Sequence, residues 1–205
     1  MRSTLRALAH RNYRLYFFGQ GVSLIGTWMQ QLAMMWLVYE LEHSALLLGA
    51  VGFASQIPTL FIAPLAGVFT DRWNRHRTLM ATQSLALVQA VALTAIAWTG
   101  WVEVWVILAL SVGLGVINAF DIPTRQAFLT DLIERPEDLA NAIALNSSLF
   151  NGARLIGPAL AGFVIAATGE WFCFLLNALS YVAVLAALAA IRVRERRRPF
   201  ERLPV

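Results

Sequence analysis

The sequence predicts an all-α membrane protein with six transmembrane helices, and three observations lead there. Of its 205 residues, 59% are hydrophobic and only 14% charged, against about 25% charged in an ordinary soluble domain. The apolar residues fall into six blocks, at about 15–38, 46–69, 78–99, 103–120, 141–167 and 171–191. Each is near the length needed to cross ~30 Å of hydrocarbon at ~1.5 Å per residue. No block alternates with a period of two, which disfavours a membrane barrel. Helices satisfy their own backbone hydrogen bonds in lipid and so remain.

Charge placement orients the blocks. All 16 basic residues are arginine. They lie before the first block (Arg2, Arg6, Arg11, Arg14), in the second connection (Arg72, Arg75, Arg77), in the fourth (Arg125, Arg135) and in the tail (Arg192 to Arg202), with Arg154 alone inside a block. The first, third and fifth connections hold Glu40, Glu42, Glu103 and Glu170 and no basic residue. That alternation follows the positive-inside rule. It predicts a multi-pass protein of the inner or plasma membrane with both termini cytoplasmic: a cytoplasmic N-terminus at 1–14, a bundle at 15–191 and a basic cytoplasmic tail at 192–205. A net charge of +4 sorted by alternate connections is not a nucleic-acid surface, and the partner it implies is the lipid bilayer. The first block is too long and too polar for a cleaved signal core. The single cysteine, Cys173, excludes an internal disulfide.

Taken in order, the lead-in sets Tyr13 and Tyr16 at interfacial depth. The first span carries Gln20, Ser23, Thr27, Gln30 and Gln31 on one stripe at about 100° per residue. Such a stripe glues helices together or walls an aqueous cavity, and five polar groups exceed what packing needs, favouring the cavity. The second span holds Pro58 and Pro64, so a kink is expected, with Ser55, Gln56 and Thr59 available to the freed carbonyls. The third span is polar mainly at its start (Thr82, Gln83, Ser84) and reads as peripheral. Trp98, Trp101 and Trp105 mark the outer interface. Gly113 and Gly115 in the fourth span would let another backbone come close. Asp121 to about Ala140 reads as the longest and most charged connection, with Pro136-Glu137-Asp138 opening the next helix. The fifth span places Ser147, Asn151 and Arg154 on one face, ahead of Gly157 and Pro158. The sixth carries Asn177, Ser180 and Tyr181.

Enzyme chemistry is disfavoured. His10, His43 and His76 all lie outside the spans, so no nucleophile–histidine pair or histidine-based metal site can assemble inside the membrane. No phosphate-cradling glycine loop is present. No catalytic residue, metal or cofactor is expected. Ala63-Pro64-Leu65-Ala66-Gly67 in the second span echoes Gly157-Pro158-Ala159-Leu160-Ala161-Gly162 in the fifth. Three helices per unit force opposite orientations, so the echo predicts two inverted three-helix repeats.

The turn Gly67-Val-Phe-Thr-Asp71-Arg72-Trp-Asn74-Arg75-His76-Arg77 resembles the signature of the major facilitator superfamily, Gly-x-x-x-Asp-Arg-x-Gly-Arg-basic, between its second and third helices. Asn74 replaces the second glycine, acceptable if that residue needs a left-handed backbone. Asn12-Tyr13-Arg14, Gly26 to Gln30, Asp121 to Ala127 and Asn141 to Leu145 are similar to the siderophore- and drug-exporter branch. Ala153-x-x-x-Gly157-Pro158-x-x-Ala161-Gly162 is similar to that superfamily's antiporter motif. The resemblance implies the N-terminal half of a twelve-helix fold. It implies a gating motif of Gly67, Asp71, Arg72, Arg75, Asp121, Arg125, Gly157 and Pro158, in which Asp71, Arg75 and Asp121 would lock the cytoplasmic side. Gln20, Ser23, Thr27, Gln30, Gln31, Ser147, Asn151 and Arg154 become candidates for the substrate cavity.

The expected function is secondary active transport by alternating access, with efflux of a small organic solute such as a siderophore or drug. The alternative is a non-transporting six-helix scaffold or partner subunit. A second six-helix half or a twin chain is expected as partner, because the substrate site forms between halves. With no acid deep in any span, a coupling acid is expected in the other half. Arg154, costing at least ~2.5 kcal/mol at mid-membrane, is either a strut between helices or an attractor for an anionic or phenolic solute.

Overall fold

A computed structural model describes residues 5–70 and 73–191, Thr70 by its backbone alone. Six helices occupy almost all of it: α1 (Arg11–Glu42), α2 (Ala45–Thr70), α3 (Arg75–Thr99), α4 (Val104–Leu132), α5 (Leu139–Thr168) and α6 (Glu170–Ala190). Among the described residues there is no strand. A 3-10 turn at Arg6–Ala9 precedes α1, and a second at Pro136–Asp138 leads directly into α5, where the sequence places a helix start.

Helices α2 to α6 are each long and apolar enough to cross a membrane. The longest helix, α1 with 32 residues, does not meet that measure because of its polar stripe. The stripe turns inward: Gln20, Ser23 and Gln30 are buried, while Phe18, Val22 and Trp36 are exposed. Helix α1 is the organising element, packing against α2, α5 and α6 and touching α4. Helix α4 joins α2 to α3, and α3 closes the bundle on α6.

Helix α3 is not peripheral, as its Ala/Val/Leu-rich pattern suggests. Leu79, Ala86, Ala90 and Leu93 are buried with Thr82, Gln83, Gln89 and Thr94, because α3 lies between α4 and α6. The least covered helices are instead α2 and α5, with Phe53, Leu60, Phe61, Leu155 and Phe163 all more than half exposed.

Two boundaries differ from the apolar pattern. Asn74 is not left-handed: with φ −70° and ψ 107° it is extended and caps α3, its side-chain Oδ1 accepting from the Arg77 backbone N–H. At an N-cap Asn adds a side-chain acceptor for an otherwise unpartnered helix N–H, which Gly cannot supply. The apolar run of the fourth span stops near Phe120, but α4 continues to Leu132 through Pro123. Hydropathy registers the charge of Asp121; the helix persists because that charge is neutralised inside the bundle and Phe128, Leu129 and Leu132 resume the buried face. The long fourth connection therefore shrinks to a few residues around the 3-10 turn.

Close approach of α2 and α4 depends on Gly115, where a Cβ would lie 2.6 Å from the Ser55 carbonyl and 2.9 Å from the Pro58 ring. Gly113 has open space and serves no such contact. The hydroxyls near Pro58 are used differently from expectation: Ser55 donates to the Gly52 carbonyl at 2.8 Å and Thr59 to the Gly115 carbonyl on α4 at 3.1 Å. Thr59 thus ties α2 to α4 where the backbones meet.

Candidate functional site

Two layers of polar groups cross the bundle, beginning at its arginine-rich end, and a third group lies on its outer face. There Arg75, at the start of α3, places Nη1 3.1 Å from both carboxylate oxygens of Asp131 and donates to the Ala127 carbonyl at 3.2 Å. This ties the start of α3 to the end of α4. The resemblance implies instead a lock of Arg75 with Asp71 and Asp121. Ten residues of helix, ~15 Å, separate Asp121 from Asp131, and Arg75 takes the carboxylate nearer the helix end. Asp71 and Arg72 lie outside the described residues. Gly67 has open space where a Cβ would stand, so no described neighbour demands a glycine there.

Asp121 is 1% exposed. Its Oδ2 accepts from Arg125 Nη2 one turn along α4. Its Oδ1 accepts from Thr82 Oγ1 and Gln83 Nε2 of α3, both at 2.8 Å. It is a buried acid inside the apolar helix α4, whereas the sequence reading finds no acid deep in any span. The apolar run ends at Asp121, so hydropathy places it in a loop. A chamber of about 30 Å³ adjoins the pair, lined by Gln20, Ser23 and Thr27 of α1 together with Gln83, Asn118 and Tyr181. Its size fits one or two water molecules. Gln83 Oε1 and Arg125 Nε, both in that lining, and Tyr16 Oη are buried and hydrogen-bond to no described protein atom.

The second layer sits at mid-bundle. Gln30 donates to Gln89 Oε1 of α3 at 2.9 Å and accepts from Asn177 Nδ2 of α6 at 2.8 Å. Thr27 lies 3.3 Å from the Tyr181 hydroxyl and donates to the Ser23 carbonyl. The α1 stripe therefore meets both sequence readings: Gln30 is glue between three helices, whereas Gln20, Ser23 and Thr27 wall the small chamber. Gln31 is half-buried and outside both groups.

The third group lies on the uncovered face of α5. Ser147, Asn151 and Arg154 are all exposed, and Asn151 Nδ2 donates to the Ser147 carbonyl at 2.9 Å. Arg154 does not strut to a carbonyl or to Asn151. Its guanidinium carbon lies 5.5 Å from the Trp28 ring centroid on α1. Phe150 meets the same indole edge-on, 5.8 Å away at 70°. The two polar sets predicted to share one cavity are thus separated, with most of the α1 set inward and the α5 set outward. Pro158 sits within α5 without ending it.

Sequence reasoning missed Asp131, Thr82, Gln83, Gln89 and Trp28. Gln89 had a visible signal, a mid-span amide with no reason to face lipid. Asp131 did not, because it reads as one more solvated loop charge.

Residues 2–204 match a family described as transmembrane secretion effector, one of the major facilitator families. The chain is 31% identical over 176 residues to the staphyloferrin A transporter of Staphylococcus aureus (strain NCTC 8325 / PS 47), covering 84% of this chain and 44% of that protein. It is 25% identical over 185 residues to macrolide efflux protein A of Streptococcus pyogenes, covering 88% of this chain and 44% of that one. With the multidrug efflux pump Tap of Mycobacterium tuberculosis (strain ATCC 25618 / H37Rv) the identity is 26%, covering 88% and 42%. The chain spans less than half the length of these relatives.

Proposed function

Because the chain belongs to the transmembrane secretion effector family of the major facilitator superfamily, we propose that it forms the N-terminal six-helix half of a secondary active transporter. This transporter exports a small organic solute by alternating access. The observation that carries the reading is the family match over residues 2–204. Relatives named as a macrolide efflux protein and a multidrug efflux pump favour export, and another is named as a staphyloferrin A transporter.

In this reading all six helices cross the inner or plasma membrane, with the arginine-bearing connections in the cytoplasm. Two inverted three-helix repeats are supported by a pairing of properties: α2 and α5 each carry proline and are the least covered helices, while α3 and α6 are covered to the same extent and pack on each other. The exposed faces of α2 and α5 accept a second six-helix half or a twin chain, and the solute passes between the two units. Arg75 and Asp131, with Asp71 in the preceding turn, hold the cytoplasmic end closed while the outer side is open. Charge-assisted contacts of this kind can bias two states that differ by a few kcal/mol.

Reconstitution into proteoliposomes tests this. With a second half or a twin chain present, flux of a panel of siderophores and macrolides is expected to saturate with concentration. Flux that never saturates, or no flux in either arrangement, would favour the six-helix scaffold.

A further inference from the structure

The Arg154 guanidinium sits midway along α5 and makes no ion pair or hydrogen bond among the described residues; its recorded partner is the Trp28 ring. Arginine stays charged under all ordinary conditions. A guanidinium over an aromatic face is held in orientation while its N–H edge stays free, and that edge matches a carboxylate in a two-point contact. The half-buried arginines differ: Arg75 and Arg125 are each committed to an aspartate.

The indole beneath Arg154 is held by close backbone packing. A Cβ at Gly157 would lie 2.5 Å from Trp28 Cβ and 3.0 Å from the Ile25 carbonyl. Only glycine lets α5 approach α1 this closely, one turn from Arg154. Phe150, one turn before Arg154 on α5 and 43% exposed, packs edge-on against the same indole. A fixed cation thus stands beside a partly exposed aromatic shelf.

We propose that Arg154, Trp28 and Phe150 form a recognition site for organic anions, with Arg154 taking a carboxylate and the two rings taking the apolar or aromatic frame that bears it. The site rests on the reading that the exposed face of α5 lines the solute pathway, and it narrows the solute to a carboxylate-bearing class. Gly157 acts as a positioning residue for the shelf.

The test is equilibrium binding to the 205-residue chain in phosphatidylcholine nanodiscs, using benzoate and benzyltrimethylammonium, which carry the same ring with opposite charge. Benzoate is expected to bind in preference to the cation. Arg154→Gln is expected to weaken benzoate roughly tenfold or more, the scale of one charge-assisted hydrogen bond. Arg154→Lys, which keeps the charge but not the fork, should fall between, and Trp28→Leu should weaken benzoate with Arg154 intact. The lysine and leucine variants also decide the matter if the glutamine variant does not fold. Equal binding of benzoate by the parent and these variants, or a preference for the cation, overturns the proposal. Because binding is read without flux, Arg154-dependent benzoate binding in a chain that never transports would sink the transport reading and leave the anion site standing. Saturable flux with Arg154-independent binding would do the reverse.

Discussion

Replacing Asp121 with leucine is expected to lower the unfolding temperature of the protein in detergent sharply. The Arg125 guanidinium, with its side chain only 16% exposed, would lose its counter-ion. Thr82 and Gln83 would lose the acceptor they share at 2.8 Å. Breaking a buried pair by removing one partner costs about 3–5 kcal/mol, a large part of a typical domain stability of ~5–15 kcal/mol. Arg125→Met should be milder, since Asp121 keeps two donors from α3. The double variant Asp121→Leu with Arg125→Met should regain much of the loss, because an apolar pair of similar volume is often as stable as a buried ion pair. Thermal unfolding of the four proteins in one detergent checks the ordering. A leucine variant as stable as the parent would mean that Asp121 is not buried against Arg125.

Reversing charge at Arg75 is expected to have the largest effect on transport. Arg75→Glu removes both contacts to Asp131 at 3.1 Å and sets two carboxylates against each other. The side chains are 17% and 34% exposed, so solvent screens the pair to about 1 kcal/mol. Like-charge repulsion adds about 0.4 kcal/mol. A shift of roughly 1.4 kcal/mol moves a two-state ratio by about tenfold, enough to favour the state open at the cytoplasmic end. Vesicle flux should fall by about that order. The swapped pair, Arg75→Asp with Asp131→Arg, should recover most of it, which a merely structural loss would not allow. If the swap stays as slow as the single variant, the gate does not work through this contact.

Much of the fold is legible in the sequence because membrane insertion is decided by local composition. Block length and the period of apolar residues set α2, α3, α5 and α6 to within a few residues. Composition fails where tertiary contacts neutralise a polar group. Asp121 ends a hydropathy window but not a helix, because Thr82, Gln83 and Arg125 surround it. The stripe on α1 lowers that helix's hydropathy, yet it faces Gln89, Asn177 and Tyr181 rather than lipid. The site is less legible. Which acid Arg75 meets depends on how far α4 extends, and which face of α5 stays open depends on α5 packing mainly on α1. No spacing rule within one helix carries either fact.

The central claim is that the arginine-bearing connections face the cytoplasm. The one native thiol, Cys173, is fully buried, so a planted cysteine reports with little background. Trp73 and Trp101 stand at opposite ends of the bundle, 51% and 85% exposed. With a membrane-impermeant maleimide applied to intact cells, Trp101→Cys is expected to label while Trp73→Cys labels only after the membrane is opened. Labelling of Trp73→Cys from outside intact cells would contradict the orientation, and with it the cytoplasmic gate.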